Sequence, residues 1–193
     1  RLITQARRRS HKGDYRFLKE DLADCPPGLW ILLCPNPLHG LTRLKPLLQW
    51  AGSRFTGRLG LAFTHKMQGY DAPWLLQIQA LASVHQTPVL ATQDALMHSP
   101  GLKPVLDVVH AIGLGQALHE ARHSLEPNAE RCLHPVAVLQ QRYPKSLLDN
   151  TVIWAESCNF SMNELRYHYP REITPNHLSP SQYLSQLTWE GAA

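Results

Sequence analysis

Pro88-Val-Leu-Ala-Thr-Gln-Asp-Ala-Leu-Met-His98 is the stretch whose reading decides the fold. Val89 to Ala91 is a short, apolar, β-prone run that stops at Thr92, Gln93 and Asp94, the pattern of a buried strand opening into a loop. In α/β folds the loops at the carboxyl ends of parallel strands converge while the strands stay rigid, so ligands and metals sit there. Upstream, Gly28-Leu-Trp-Ile-Leu-Leu-Cys34 is a continuous apolar run with proline on both sides and predicts a fully buried strand. Gly57-Arg-Leu-Gly-Leu-Ala-Phe63 predicts another. Leu41, Leu44, Leu47, Leu48 and Ala51 recur at helical spacing between the two, and Pro73 opens a second helix with Leu75, Ile78, Leu81 and Ala82 on its inner side. The order strand, helix, strand, helix, strand predicts an α/β fold with a parallel sheet and right-handed crossovers.

The character changes beyond Leu102. Val105, Val108, Val109 and Ile112 form an apolar helical stripe ending at Gly113 and Gly115, and no later run reads as a buried strand. Amphipathic helices are expected over 135–141 and 146–158, an extended connector over 160–180, and a last helix opening at Ser179 and Pro180. The division expected is 1–115 and 116–193. At the other end, Leu2 to Arg9 reads as the tail of a helix. Its Arg7, Arg8 and Arg9 fit either a solvated helix end or contacts to phosphate.

The 193 residues, 44% hydrophobic, are enough for a real core. No apolar run is long enough to span a membrane and the first residues lack the apolar segment of a signal peptide, so a cytoplasmic setting is expected. Cys25, Cys34, Cys132 and Cys158 show no CxxC pairing and read as ordinary thiols. A net charge of +4 favours anionic partners such as nucleic acid. The first residue is not methionine and the last residues fall inside a predicted helix, so a piece of a longer protein is expected.

A strand ending in Ala91-Thr-Gln-Asp94, a few residues with a histidine and then a helix opening within Leu102 to Val109 resemble the PHP domain of bacterial DnaE-type polymerases, relatives of the DNA polymerase III alpha subunit. Asn128-Ala-Glu-Arg131, Glu164-Leu-Arg-Tyr-His-Tyr-Pro170, Leu187-Thr-Trp-Glu-Gly-Ala-Ala193 and Arg7-Arg-Arg-Ser-His-Lys-Gly13 are similar to the error-prone, translesion branch. The resemblance implies a distorted β/α barrel whose first strands lie upstream of Arg1, with 1–115 as the later part of that PHP domain and 116–193 as the mainly helical start of the polymerase core.

Metal-binding PHP relatives carry a glutamate after the second of these strands and a histidine two residues after the loop aspartate. Thr64 and Leu96 stand at those positions, and neither replaces its ligand, since a threonine hydroxyl is a poor donor to divalent metals and leucine has no lone pair. Asp94 and His98 remain. The resemblance therefore implies a degenerate, metal-free PHP site, in which Asp94 caps its own loop. His119-Glu-Ala-Arg-His123 matches H-E-x-x-H, but Ile112-Gly-Leu-Gly115 breaks the helix such a zinc site requires, and the match reads as coincidence. The other histidines share no ligand spacing, and no phosphate loop, dinucleotide fingerprint or nucleophile elbow is present. Arg166, Tyr167, His168, Tyr169 and Arg171 interleave basic and aromatic groups, as in single-strand contacts, while the tyrosines equally suit anchoring of the connector.

By the same resemblance the parent protein extends primers in translesion synthesis and repair, with Mg2+ held by palm carboxylates beyond Ala193. This chain would bind no cofactor and be inactive by itself. The implied partners are DNA, a sliding clamp and translesion accessory proteins, with no membrane. A metal-dependent PHP phosphoesterase and a non-enzymatic repair scaffold are the alternatives.

Overall fold

The computed structural model describes residues 2–22, 28–166, 174–175 and 178–192. After a short first helix, α1 (Leu2–Arg8), the chain builds a parallel sheet in the order β1 (Ile31–Leu33), β2 (Leu59–Thr64) and β3 (Val89–Thr92). The register sets Ile31 opposite Leu59, Leu61 opposite Val89 and Thr64 opposite Thr92. Helix α2 (Gly40–Arg54) joins the first two strands and α3 (Asp71–Val84) the next two, as the alternation of apolar runs predicts. Leu44, Leu48 and Ala51 of α2 and Trp74, Ile78, Leu81 and Ala82 of α3 are buried. They meet Leu59, Leu61, Phe63, Val89 and Ala91, the odd-numbered positions that a pleated strand turns to one side.

β1 departs from expectation. It is half-buried, whereas the first five residues of β2 are all buried. The reason is position: β2 has a strand on each side, while β1 has one neighbour among the described residues.

The opposite edge is sealed by a helix. Pro88 O accepts from Leu61 N across the sheet, so by the alternation of a parallel ladder the carbonyls of Val89 and Ala91 point the other way. Beyond β3 come α4 (Lys103–Leu114), α5 (Leu118–Ala121) and α6 (Val136–Arg142), and then α7 (Lys145–Ser157), which meets both carbonyls. Asn150 Nδ2 donates to Val89 O at 2.9 Å, and Thr151 Oγ1 lies 3.1 Å from Ala91 O and 2.9 Å from Leu147 O, sharing one proton between them. An exposed strand edge invites pairing with other chains, and a covering helix removes that hazard. Trp154 of α7 also lies over Gly60, where a Cβ would come within 2.7 Å of both the Trp154 ring and Leu90 Cδ1. Its indole makes an edge-on contact with Trp30 at 4.9 Å.

The chain forms two compact units, Arg1–Ser157 and Cys158–Ala193. Helices α6 and α7, which lie beyond position 115, pack within the first, and Tyr143 and Leu147 belong to the same core as Phe63 and Ile78. α4 ends at Leu114, with Gly115 in the left-handed region (φ 64°) that glycine adopts without strain. In the second unit Ser161 caps a short turn over Met162–Glu164. There α8 (Pro180–Ala192) opens on a reciprocal cap, in which Ser179 N donates to Gln182 Oε1 and Gln182 N to Ser179 Oγ. No helix among the described residues is long and apolar enough to cross a membrane.

Candidate functional site

Three short loops leave the carboxyl ends of the strands, and the space between them is a pocket of about 550 Å³ whose lining includes Cys34, Thr64, Lys66, Thr92, Asp94 and Arg131. The strand ends are tied before the loops begin. Thr92 Oγ1 donates to Phe63 O at 3.2 Å, which leaves Thr64 to donate to Thr92 Oγ1 at 2.7 Å. Tyr143, arriving from the end of α6, donates its hydroxyl to Thr92 O at 2.6 Å and accepts from His65 N at 2.9 Å. One phenol thus links the ends of β2 and β3, and its burial raises its pKa above the usual tyrosine value.

The loop after β2 turns sharply, with Met67 at φ 54°. Buried Asp71, in the first turn of α3, holds it by accepting from Lys66 N (3.0 Å) and Gln68 N (2.9 Å), with His65 Nδ1 at 3.4 Å. This fixes the Lys66 backbone beside the pocket, and Asn128 Nδ2 donates to Lys66 O from the far side at 2.8 Å.

Asp94, in the loop after β3, adopts φ 48°, a left-handed conformation that aspartate tolerates better than most residues. Its carboxylate meets Arg131 Nη2 at 2.8 Å and Lys66 Nζ at 3.2 Å. Arg131 Nε also donates to Asp94 O at 3.1 Å, and Arg131 Nη1 pairs with Glu126. Burial lowers the guanidinium's pKa and the two carboxylates more than offset it, so the net shift is upward and Arg131 stays charged. The pocket therefore holds two carboxylates and two cations, bonded to one another. Asn128 and Arg131, which in sequence carry only a family resemblance, are thereby builders of this site, as are Lys66, Asp71 and Tyr143. A lysine two residues past a strand end is the one local signal that points there.

Of the sequence-predicted positions, Thr64 and Asp94 line the pocket and Leu96 and His98 do not. Leu96 is exposed, with its N–H bonded to Arg131 O at 2.8 Å, and His98 is exposed on the same loop. Among the described residues no group of three or more His, Cys, Asp or Glu side chains is placed to hold a metal ion. The H-E-x-x-H match dissolves in three dimensions. α5 is a single turn, His123 lies beyond its end and accepts from Arg122 Nε, and Glu120 is spent on Ala117 N.

The basic candidates separate. Arg9 forms a two-pronged pair with Asp21 at 2.8 and 2.7 Å, and that hydrogen bond holds the aspartate's pKa at about 2. Arg7, Arg8 and Arg166 are exposed. Arg171, with Tyr167, His168 and Tyr169, lies outside the described residues.

No protein-family model matches the chain. Curated relatives do. A protein of Pseudomonas fluorescens strain Pf0-1 named error-prone DNA polymerase is 38% identical over 192 residues, which is 100% of this chain and 18% of the relative. Proteins of the same name from Pseudomonas aeruginosa and Aromatoleum aromaticum are 38% and 37% identical over 193 residues, again 18% of each relative. Across its whole length the chain is thus a homologue of one segment of the error-prone DNA polymerases, and it spans about 18% of their length.

Proposed function

We propose that this chain serves, within a longer protein, as the later part of a PHP-type domain and the entry to the polymerase core of an error-prone DNA-directed DNA polymerase acting in translesion synthesis and repair. The observation that carries the reading is the whole-chain identity to proteins of that name. The parallel strand and helix alternation agrees with a portion of a β/α barrel. Residues 1–115 are the PHP part and 116–193 the approach to the core, with α6 and α7 completing the packing of the first part through Ser157.

In this reading the pocket at the strand ends is a metal-free scaffold. A divalent metal needs several carboxylates and imidazoles free to converge on it. Here both pocket carboxylates are engaged by Arg131, and Lys66 and Arg131 bring two positive charges into the pocket. Repulsion between fixed cations and a divalent ion in a partly buried pocket disfavours loading. The alternative of a metal-dependent phosphoesterase needs the opposite arrangement.

Primer extension would be performed by the parent, with Mg2+ bound by carboxylates outside this chain. DNA, a sliding clamp and translesion accessory proteins are the proposed partners, in the cytoplasm. The test is primer extension by the complete reading frame on an undamaged template and on one with an abasic site, with metal content measured on the same preparation. Synthesis past the lesion is the expected result. No synthesis on either template, with stoichiometric zinc or manganese lost on Asp94→Ala, would overturn the reading in favour of the phosphoesterase. No synthesis and no metal would leave a scaffold that binds DNA or protein.

A further inference from the structure

Helix α4 is built inside out. Lys103 and Asp107 form an ion pair one turn apart at 2.6 Å with side chains only 20% and 17% exposed, and His110 and Leu106 on the same side are part-buried next to buried Ala111. The aliphatic side faces solvent, with Val105 57%, Val108 47%, Val109 60% and Ile112 72% exposed. Their spacing puts all four in one stripe, and Leu118 of α5, past Gly115, is exposed as well. A soluble helix normally shows water its charged side, and a contiguous aliphatic stripe of this kind marks a surface that another surface covers.

We propose that the Val105, Val108, Val109 and Ile112 face of α4 is an intramolecular interface, covered in the parent polymerase by an apolar surface from outside this chain. The inference rests on the reading that the chain is one segment of a longer polymerase. One observation and one general principle select that occupant over a second copy. The chain spans about 18% of each relative, so more than four-fifths of such a polypeptide lies outside it. A partner tethered in the same chain also acts at an effective concentration that separate molecules do not reach. Exposed apolar groups recur elsewhere, with Leu184 and Trp189 of α8 among them, as a segment embedded in a larger protein requires.

The test places a thiol on the stripe. Val109→Cys is introduced into the full-length parent and into the 193-residue chain, and maleimide labelling at position 109 is followed by peptide mass spectrometry against the urea-denatured protein. The expected result is labelling at least about tenfold slower in the native parent than in the denatured one, independent of protein concentration, and fast labelling in the 193-residue chain. Fast labelling in the native parent overturns the proposal. Protection that grows with concentration, that needs added DNA or accessory protein, or that is already present in the 193-residue chain also overturns it, by assigning another occupant. Primer extension is run on the same parent preparation. A protected but inactive parent sinks the polymerase reading and leaves the interface, while an active, freely labelled parent does the reverse.

Discussion

The carboxyl end of the sheet and the outer side of α4 are opposites. The sheet end has the residues and the shape of a place for chemistry, and its principal polar groups are matched from within: Asp94 to Lys66 and Arg131, Asp71 to two backbone amides, Tyr143 to both strand ends. Among the described residues no buried side-chain nitrogen or oxygen lacks a partner. Helix α4 has the spacing of an ordinary core helix in sequence, yet among the described residues its aliphatic side is largely exposed. On α4 the exposed side is apolar area, while Asp94, Lys66 and Arg131 at the strand ends are bonded to one another. Replacing the polar groups at the strand ends is therefore expected to cost stability, and replacing the aliphatic groups of the stripe to cost this chain almost nothing.

Asp71→Ala has the largest expected effect. It strips the acceptor from Lys66 N and Gln68 N beside a buried position, and two orphaned amides cost about 3 kcal/mol together. Urea denaturation of this chain measures it, and a loss below about 1 kcal/mol would mean that water replaces the carboxylate, so the loop is not closed. Tyr143→Phe follows at about 2 kcal/mol, since Thr92 O and His65 N lose one shared hydroxyl. It also carries a pH signature. The folded-state pKa of Tyr143 is raised by burial, so above the ordinary tyrosine pKa of 10.0 the unfolded chain sheds a proton that the folded chain retains. Stability from this group is full below that pH and is lost as pH rises through the folded pKa. The Phe variant should show a shallower decline in the alkaline range, and an identical slope would place the hydroxyl in solvent.

Asp94→Ala ranks third. The carboxylate is 45% exposed and Arg131 keeps Glu126, so the expected loss is under about 1 kcal/mol despite two ion pairs. The sharper readout is Arg131 itself. Its side chain should stay ordered on Glu126 in a structure of the variant, and a released guanidinium would show that Asp94 holds the pocket together.

The part of this contrast that is legible in sequence is the part made of local pattern. Apolar runs bounded by proline or glycine mark the three strands, and Thr92-Gln-Asp94 marks the loop at the right end of the sheet. Partners distant in sequence leave no local signal. Lys66, Asp94 and Arg131 come from three separate loops, and Arg9 finds Asp21 only because the chain doubles back after α1. Asn150 and Thr151 fall in the helix expected over 146–158, and nothing in helical spacing says that they reach the carbonyls of β3. Spacing also tells which residues of α4 share a side without telling which side points inward. The Gly28 to Cys34 run carries the same ambiguity, because apolar content reports a preference for burial and the number of neighbouring strands decides how much is achieved.

Val109→Ser in this chain is the smallest expected effect and the one that tests the comparison most directly. Valine and serine have similar helix propensities, so the backbone term nearly cancels. What remains is the apolar area that the valine buries, and at 60% exposure little of it is out of water. The expected change is within about 0.5 kcal/mol by urea denaturation, the ordinary range for a surface position away from caps and ion pairs. A loss above about 1 kcal/mol would mean that the stripe is already covered within these 193 residues, and α4 would then be an ordinary core helix. The same substitution made in the parent should cost more than in this chain, because only there does the residue leave water. Equal costs in both would remove the reason to treat the two regions as opposites.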